Sequence, residues 1–284
     1  MTHPVRRLID AVGHNDALEA PAEGLATLVR PTFESRAIKN ALSGVWLGHR
    51  LHPMLTDAVI GTWASAGLLD LLGDDGDAAA ARRLVGAGVA ASLPTALAGL
   101  SDYSELYDHG RRVAFVHAMA ADVAAVLQIA SLVARRAGRA RAGRLLSLVA
   151  LGTVGAAGYL GGHLSQVLGI GVDHTAFDEG PKDWEDTGVA VSDVTTTPQV
   201  VIAGEHQVLL VRVDGRPVAL ANRCSHAGWP IDEGEVADGC ITCPYHGSVF
   251  RLADGAVVRG PAASPQLRYE IRERDGRVQL RGPR

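Results

Sequence analysis

Four weakly polar runs dominate the chain up to its middle: Pro53 to Leu72, Ala79 to Leu100, Val113 to Ala134 and Leu145 to Leu168. Each is about twenty residues, the length at which an α-helix crosses a bilayer's hydrocarbon core. The joining segments are polar: Gly73-Asp-Asp-Gly-Asp77, Ser101 to Arg112 and Arg135 to Arg144. Four long helices on short loops predict an up-down-up-down bundle. A buried soluble bundle is the alternative, because alanine and glycine keep these runs only mildly hydrophobic. Against it, the runs lack the broad charged face a water-facing helix shows. Gly86, Gly88, Gly152, Gly155 and Gly158 suit close helix contact in lipid.

The helical runs also carry an internal duplication. His52-Pro-Met54-Leu-Thr-Asp57 and His117-Ala-Met119-Ala-Ala-Asp122 are offset by 65 residues. Leu84-Val85 with Gly88 lies 64 residues before Leu148-Val149 with Gly152, as Leu100-Ser101 lies 64 before Leu164-Ser165. Two hairpins in the same orientation are expected, related by an axis along the membrane normal. That alternation puts His52, His117 and His163 near one face, with Asp57 and Asp122 about one and a half turns deeper. Intramembrane ionisable groups are costly and mark functional or paired sites, so His52, Asp57, His117, Asp122 and His163 form a candidate site. Two histidines on neighbouring helices suit haem b ligation. Contact with a quinone, a proton path, and simple hydrogen bonding across the bundle are the other readings.

Beyond the last helix the period shortens. Gly169 to Asp186 is polar, and short strand signals follow at Val189 to Val191, Val200 to Ile202, Val208 to Val213 and Pro217 to Ala221. Turn signals stand at Asp214-Gly215, Asp254-Gly255 and Asp275-Gly276, so an antiparallel β domain is expected. The expected organisation is multidomain: a polar, amphipathic lead over residues 1–48, a transmembrane four-helix bundle over 49–170, a linker over 171–187 and an all-β domain over 188–284.

The β region holds the strongest chemical signal. Cys224-Ser-His226 is followed, after sixteen intervening residues, by Cys243-Pro-Tyr-His246. Two thiolates and two imidazoles suit an iron pair in which cysteines hold one iron and histidines the other. The same donors make a Cys2His2 zinc site, but glycine and proline beside each pair fit an enclosing loop better than a zinc finger's helix. Cys240 forms a Cys-x-x-Cys with Cys243, yet Cys243 is already claimed and Cys240 sits in a strand-like Cys-Ile-Thr-Cys run. Haem c attachment is excluded because proline follows Cys243.

The segments Asn222-Arg-Cys-Ser-His-Ala-Gly-Trp-Pro230 and Cys243-Pro-Tyr-His-Gly-Ser-Val-Phe250 resemble the two ligand loops of Rieske 2Fe-2S proteins. The resemblance covers roughly residues 188 to 284, and Gly260-Pro261-Ala262 stands where that family's proline-bearing third loop covers the cluster. It implies cofactor binding by Cys224, His226, Cys243 and His246, supported by Gly228, Pro244, Gly247, Ser248 and Pro261. High-potential members carry a loop disulfide where this chain has Trp229 and Tyr245, so the site resembles the ferredoxin-like class. Ser248 matches the hydroxyl that bonds a bridging sulfide, whereas Phe250 replaces a tyrosine donor. Fewer hydrogen bonds to sulfur imply a low-to-intermediate potential for the type. Trp46-Leu-Gly-His-Arg-Leu-His-Pro-Met-Leu-Thr-Asp57 and Gly158-Tyr-Leu-Gly-Gly-His-Leu164 resemble the DUF2231 family of four-helix bacterial membrane proteins, found fused to Rieske domains.

Composition narrows the partners. A formal net charge of −4 gives no electrostatic case for nucleic acid. Three cysteines, two of them expected ligands, leave no internal disulfide. The first 45 residues show no cleavable signal, with Asp10, Asp16, Glu19, Glu23 and Glu34 interrupting any apolar core. Arginines in Arg135 to Arg144 favour a cytoplasmic position for that loop. Cytoplasmic cluster assembly and the absent disulfide favour the cytoplasm for the β domain instead, which is the expectation adopted. The resulting expectation is a multi-pass cell-membrane protein that carries single electrons to or from a redox protein or quinone, with oligomerisation through the bundle open. A ferredoxin-like donor to a separate oxygenase, or a non-enzymatic redox sensor, is the alternative.

Overall fold

The computed structural model describes residues 4–283. Two compact units divide the chain: one comprises the residues up to Glu34 with Leu51–Ile170, the other Ser35–Arg50 with Gly171–Arg284. The polar lead is therefore shared between them.

In the first unit, α1 (Pro4–Gly13) and α2 (Glu19–Val29) precede four long helices: α4 (Leu51–Leu72), α5 (Ala78–Tyr103), α6 (Asp108–Arg136) and α7 (Ala140–Gln166). The short α3 (Arg36–Ser43) belongs to the second unit. The long helices overrun the apolar stretches that announce them. Asp108 lies in the first turn of α6 and Arg135 and Arg136 in the last, each complementing the local end of the helix dipole. Helix α7 starts five residues before Leu145 because Ala140, Arg141 and Ala142 are strong helix formers. It ends ahead of Gly169, whose φ of +68° turns the chain.

These helices are 22, 26, 29 and 27 residues long. At about 1.5 Å per residue even the shortest spans a hydrocarbon core. Their burial is arranged oppositely to a water-soluble bundle: Leu68, Leu71, Leu93, Leu97, Val126 and Val133 are exposed, while Ser101, Gln128, Ser131, Arg135 and Ser147 are buried. An apolar exterior over a polar-dotted interior suits lipid as the solvent. Inside, Ser147 donates to Gln128 Oε1 at 3.2 Å and Ser131 donates to the Gly143 carbonyl at 2.7 Å. Arg135 forks onto the Asp70 carboxylate, with Nη1 to Oδ1 at 3.0 Å, and its Nε reaches Ser131 Oγ at 3.1 Å. The lead is tied to this bundle by Tyr103, whose hydroxyl donates to the Ala22 carbonyl at 2.7 Å, and by Arg111 and Arg112, which clasp Glu19.

Among the described residues the second unit is built on ten strands: β1 (Glu185–Ala190), β2 (Gln199–Ala203), β3 (His206–Val213), β4 (Arg216–Ala221), β5 (Val236–Ala237), β6 (Cys240–Thr242), β7 (Val249–Arg251), β8 (Val257–Arg259), β9 (Glu270–Arg274) and β10 (Arg277–Arg281). They form three antiparallel sheets, ordered β1-β10-β9, β2-β3-β4 and β5-β6-β7-β8. Strand β1 begins inside the stretch that reads as linker. The run Val208-Leu-Leu-Val211 is apolar without alternation because β3 is covered on both faces. Leu209 and Val211 pack with Leu220, Ile231, Ile241 and Phe250, whereas Val208 and Leu210 pack with Tyr269, Val278 and Leu280. The first of these cores also contains Cys224 and Cys243, so the ligand loops are rooted in it.

Candidate metal centre

Two loops carry the Cys/His motifs, and they have the same backbone geometry. One leaves β4 and the other leaves β6. In each, the cysteine N–H donates to the carbonyl five residues on, Cys224 to Trp229 at 2.7 Å and Cys243 to Ser248 at 2.8 Å. In each, a glycine N–H four residues on donates back to the cysteine carbonyl, Gly228 at 2.8 Å and Gly247 at 3.0 Å. Those glycines have φ of +75° and +68°, which explains why the motif requires glycine there. The tight turn brings each histidine to the same side as its cysteine.

The four side chains converge. Cys224 and Cys243 are both buried, share a hydrogen bond, and receive backbone N–H bonds from His226 and Ala227 and from Tyr245 and His246 respectively. The shared bond lowers the pKa of the Cys243 thiol and raises that of Cys224, and the N–H donors favour thiolate at both sulfurs. The rings of His226 and His246 lie 4.8 Å apart between centroids, edge to face. Nδ1 of His226 is buried with no hydrogen-bond partner. Burial, then the charges of Arg50 and others nearby, holds His226 well below the usual imidazole range. A neutral imidazole with an orphaned ring nitrogen beside two thiols is a donor set waiting for metal.

A third segment closes over these loops. Ala262 N–H donates to Ser248 Oγ at 3.0 Å, leaving the buried hydroxyl's proton to point elsewhere. Arg259 Nη1 bonds the carbonyls of Gly247 and Gly260 at 2.8 and 3.1 Å, tying the second loop to the Gly260-Pro261 segment. Pro244 is exposed at the tip of its loop. Trp229 and Tyr245 stack at 4.7 Å with 20° between planes, so an aromatic pair spans the two loops where a disulfide is absent. Phe250 is fully buried and offers no hydroxyl.

Several supporting residues escape the sequence reading. Gln266 accepts from Ser225 N–H at 3.1 Å and donates to the carbonyls of Ala221 and Arg223 at 2.7 and 2.5 Å, bracing the first loop from 41 to 45 residues away. Asn222 accepts from the N–H groups of Ile231 and Asp232 at 3.0 Å each. His174 N–H donates to the Ser225 carbonyl at 3.0 Å. Helix α3 packs on the third segment: Arg36 Nε and Asn40 Nδ2 both donate to the Val258 carbonyl at 3.0 Å, and Gly260 N–H donates to Asn40 Oδ1 at 2.9 Å. Lys39 on the same helix is 1% exposed. Of the supporting residues, the sequence showed Gly228, Pro244, Gly247 and Ser248 beside the ligands and Pro261 in the third segment.

The candidate site in the helices is gathered only in part. His52 and His117 come together, with ring centroids 6.4 Å apart. His163 is buried on α7 with Nε2 unpartnered. Asp57 and Asp122 are exposed on the outside of the bundle, without hydrogen-bond or ion-pair partners among the described residues.

Comparison with known proteins agrees with both units. The Rieske [2Fe-2S] domain model matches residues 188–272, and the model described as predicted membrane protein (DUF2231) matches residues 48–174. The anthranilate 1,2-dioxygenase ferredoxin subunit of Burkholderia cepacia is 30% identical over 98 residues, covering 34% of this chain and 91% of that relative. The 3-phenylpropionate/cinnamic acid dioxygenase ferredoxin subunit of Photorhabdus laumondii is 32% identical over 74 residues, covering 26% of this chain and 70% of that relative. For the phenoxybenzoate dioxygenase subunit alpha of Ectopseudomonas oleovorans the share is 34% of this chain but 25% of the relative. Among solved structures, the ferredoxin of carbazole 1,9a-dioxygenase from Nocardioides aromaticivorans IC177 is 21% identical, with a TM-score of 0.34 over 36% of this chain and all of that one.

The fold and site thus define an iron-sulfur electron-transfer protein. The chain belongs to the Rieske [2Fe-2S] family, its cofactor is a Rieske-type 2Fe-2S cluster, and its helical unit is a DUF2231 predicted membrane domain.

Proposed function

We propose that the chain is a membrane-anchored carrier of single electrons, with Cys224 and Cys243 holding one iron of the cluster and His226 and His246 the other. The observation that carries this reading is the pair of equivalent turns that gathers two buried thiols and two histidines at one place. When bound, such a cluster takes up and gives back one electron at a time.

The chain's own groups do the remaining work. The N–H donors around both sulfurs favour the thiolates needed as ligands, and burial keeps His226 neutral, as ligation requires. Gly228, Gly247 and the Arg259 bridge fix the loops. Ser248, which already accepts from Ala262, has its proton to offer a sulfide, while Phe250 offers none. One donor retained and one missing supports a low-to-intermediate potential for the type.

The apolar exterior of α4 to α7 supports a multi-pass anchor in the cell membrane. The β unit is assigned to the cytoplasmic face, where clusters are made, with a redox protein or a quinone as partner. Likeness to two dioxygenase ferredoxin subunits favours a second reading, donation to a separate oxygenase.

The test is purification in detergent, iron and sulfide analysis, and EPR of the reduced protein, with His226→Ala as control. Two irons per chain and a rhombic signal lost in the variant are expected. Zinc without iron, or a signal unchanged in His226→Ala, sinks the assignment. Rapid reoxidation by a quinone analogue supports the membrane chain, and reoxidation only by an added oxygenase supports the second reading. Reporter fusions after Arg281 decide the face.

A further inference from the structure

We propose that His52 and His117 are the two axial ligands of a haem held inside the helical unit. The inference rests on the membrane-bundle reading of α4 to α7 and is independent of the iron-sulfur site.

The two histidines are seated identically on opposite hairpins. His52 Nδ1 bonds the Thr95 carbonyl of α5 at 2.9 Å, and His117 Nδ1 bonds the Ala157 carbonyl of α7 at 2.8 Å. A carbonyl only accepts, so Nδ1 carries the proton in both rings and Nε2 is left with a lone pair. Four residues past each carbonyl stands a glycine that makes room for the ring. A Cβ on Gly99 would lie 2.8 Å from His52 Cε1, and one on Gly161 would lie 3.2 Å from His117 Cε1. The seat therefore repeats with an offset of 62 residues, from Thr95 to Ala157 and from Gly99 to Gly161, two short of the 64 that residue identity in α5 and α7 suggests. The duplication has preserved a histidine receptor and not only a packing pattern.

The separation of the rings selects the ligand. A metal–imidazole bond of about 2.0 Å plus roughly 1.1 Å from nitrogen to ring centre puts two trans imidazoles about 6.2 Å apart between centroids. The observed separation is 6.4 Å, with planes at 85°. Two rings that both present lone pairs cannot hydrogen-bond each other. A quinol bridging them would add its own length and two hydrogen bonds of about 2.8 Å, which this spacing does not admit.

The chemistry then points to an iron that arrives with its other ligands. Among the described residues no third His, Cys, Asp or Glu side chain is grouped with His52 and His117 to hold a metal. Asp57 and Asp122 face outward. Zinc or copper(II) would lack half its coordination shell, whereas a haem brings four nitrogens and asks the protein for two axial imidazoles. Second partners on each Nδ1, here main-chain carbonyls, are the usual means of fixing a ligating histidine.

The test is titration of haemin into the full-length protein in detergent, alongside the protein from cells supplied with a haem precursor. One haem per chain is expected, with a Soret band and the low-spin ferric EPR of two imidazoles. His52→Ala and His117→Ala should each abolish the low-spin signal while leaving the reduced Rieske signal in place, which shows that the chain has folded and separates this outcome from failure of the iron-sulfur reading. Gly99→Ala, which intrudes on the His52 ring, should weaken haemin affinity at least tenfold. His52→Met should retain haem with a shifted spectrum. Absence of a Soret band in protein whose Rieske signal is complete overturns the proposal, as does a low-spin spectrum that survives loss of both histidines.

Discussion

Replacing Gln266 tests how the first ligand loop is held. Its side chain is 2% exposed and makes three hydrogen bonds to main-chain atoms of Ala221, Arg223 and Ser225. Gln266→Met keeps the volume and removes all three. Each main-chain group left buried without its partner costs about 1–3 kcal/mol, and partial relaxation of the loop brings the expected total to roughly 3–5 kcal/mol. For a cooperative unit of this size a loss of 1 kcal/mol lowers Tm by about 4 °C, so a drop of roughly 12–20 °C is expected. The assay is thermal unfolding followed in parallel by far-ultraviolet circular dichroism and by bleaching of the cluster's visible absorption. Gln266→Glu retains the acceptor for Ser225 N–H but loses both donors, and should fall at least as far. A shift under about 4 °C in Gln266→Met would refute the reasoning and show that the metal, not Gln266, holds the loop.

Further outcomes are expected elsewhere. Trp229→Ala removes the stack with Tyr245 and should cost about 0.5–1.5 kcal/mol, read as faster loss of cluster absorption under chelator with the ligands intact. Asp70→Asn strips the partner from Arg135, whose side chain is 5% exposed, and should cost about 3–5 kcal/mol in detergent unfolding; Asp70→Asn with Arg135→Met should recover most of it. Arg112 first, then Arg111, holds the Glu19 carboxyl below its ordinary value of 4.5. Because the folded value is the lower one, docking of α2 gains from this carboxylate fully above about pH 4.5 and loses it as pH falls through the depressed value. Amide exchange in α2 should show protection lost on that descent, and Glu19→Gln should remove the pH dependence.

What the sequence displayed was whatever is local. The Cys-x-His spacing and the glycine four residues past each cysteine are legible because one turn satisfies both, and the long helices are legible because their length and apolar composition are properties of a single segment. The bracing of that turn was not legible. Gln266 acts on a loop 41 to 45 residues away and Asn40 on one 218 to 220 residues away, and neither residue type advertises such a partner. The helices show a different limit. A run that is apolar all round does not reveal which side turns inward, so Asp57 and Asp122, in step with His52 and His117 along the chain, proved to lie on the outer surface. The two histidines were found by repetition, yet their seats on α5 and α7 obey a different offset from the one residue identity suggested.

The division of the β unit into Ser35–Arg50 and Gly171–Arg284 sets an order on biogenesis. Helix α3 leaves the ribosome ahead of all four long helices, and its partners at Val258 and Gly260 emerge only after them. During that interval Lys39 and Asn40 have nothing to pack on, and the cover over the cysteines is unfinished. The cysteine-bearing segment and its cover therefore meet only after all four long helices have been made, so metal loading falls late in maturation.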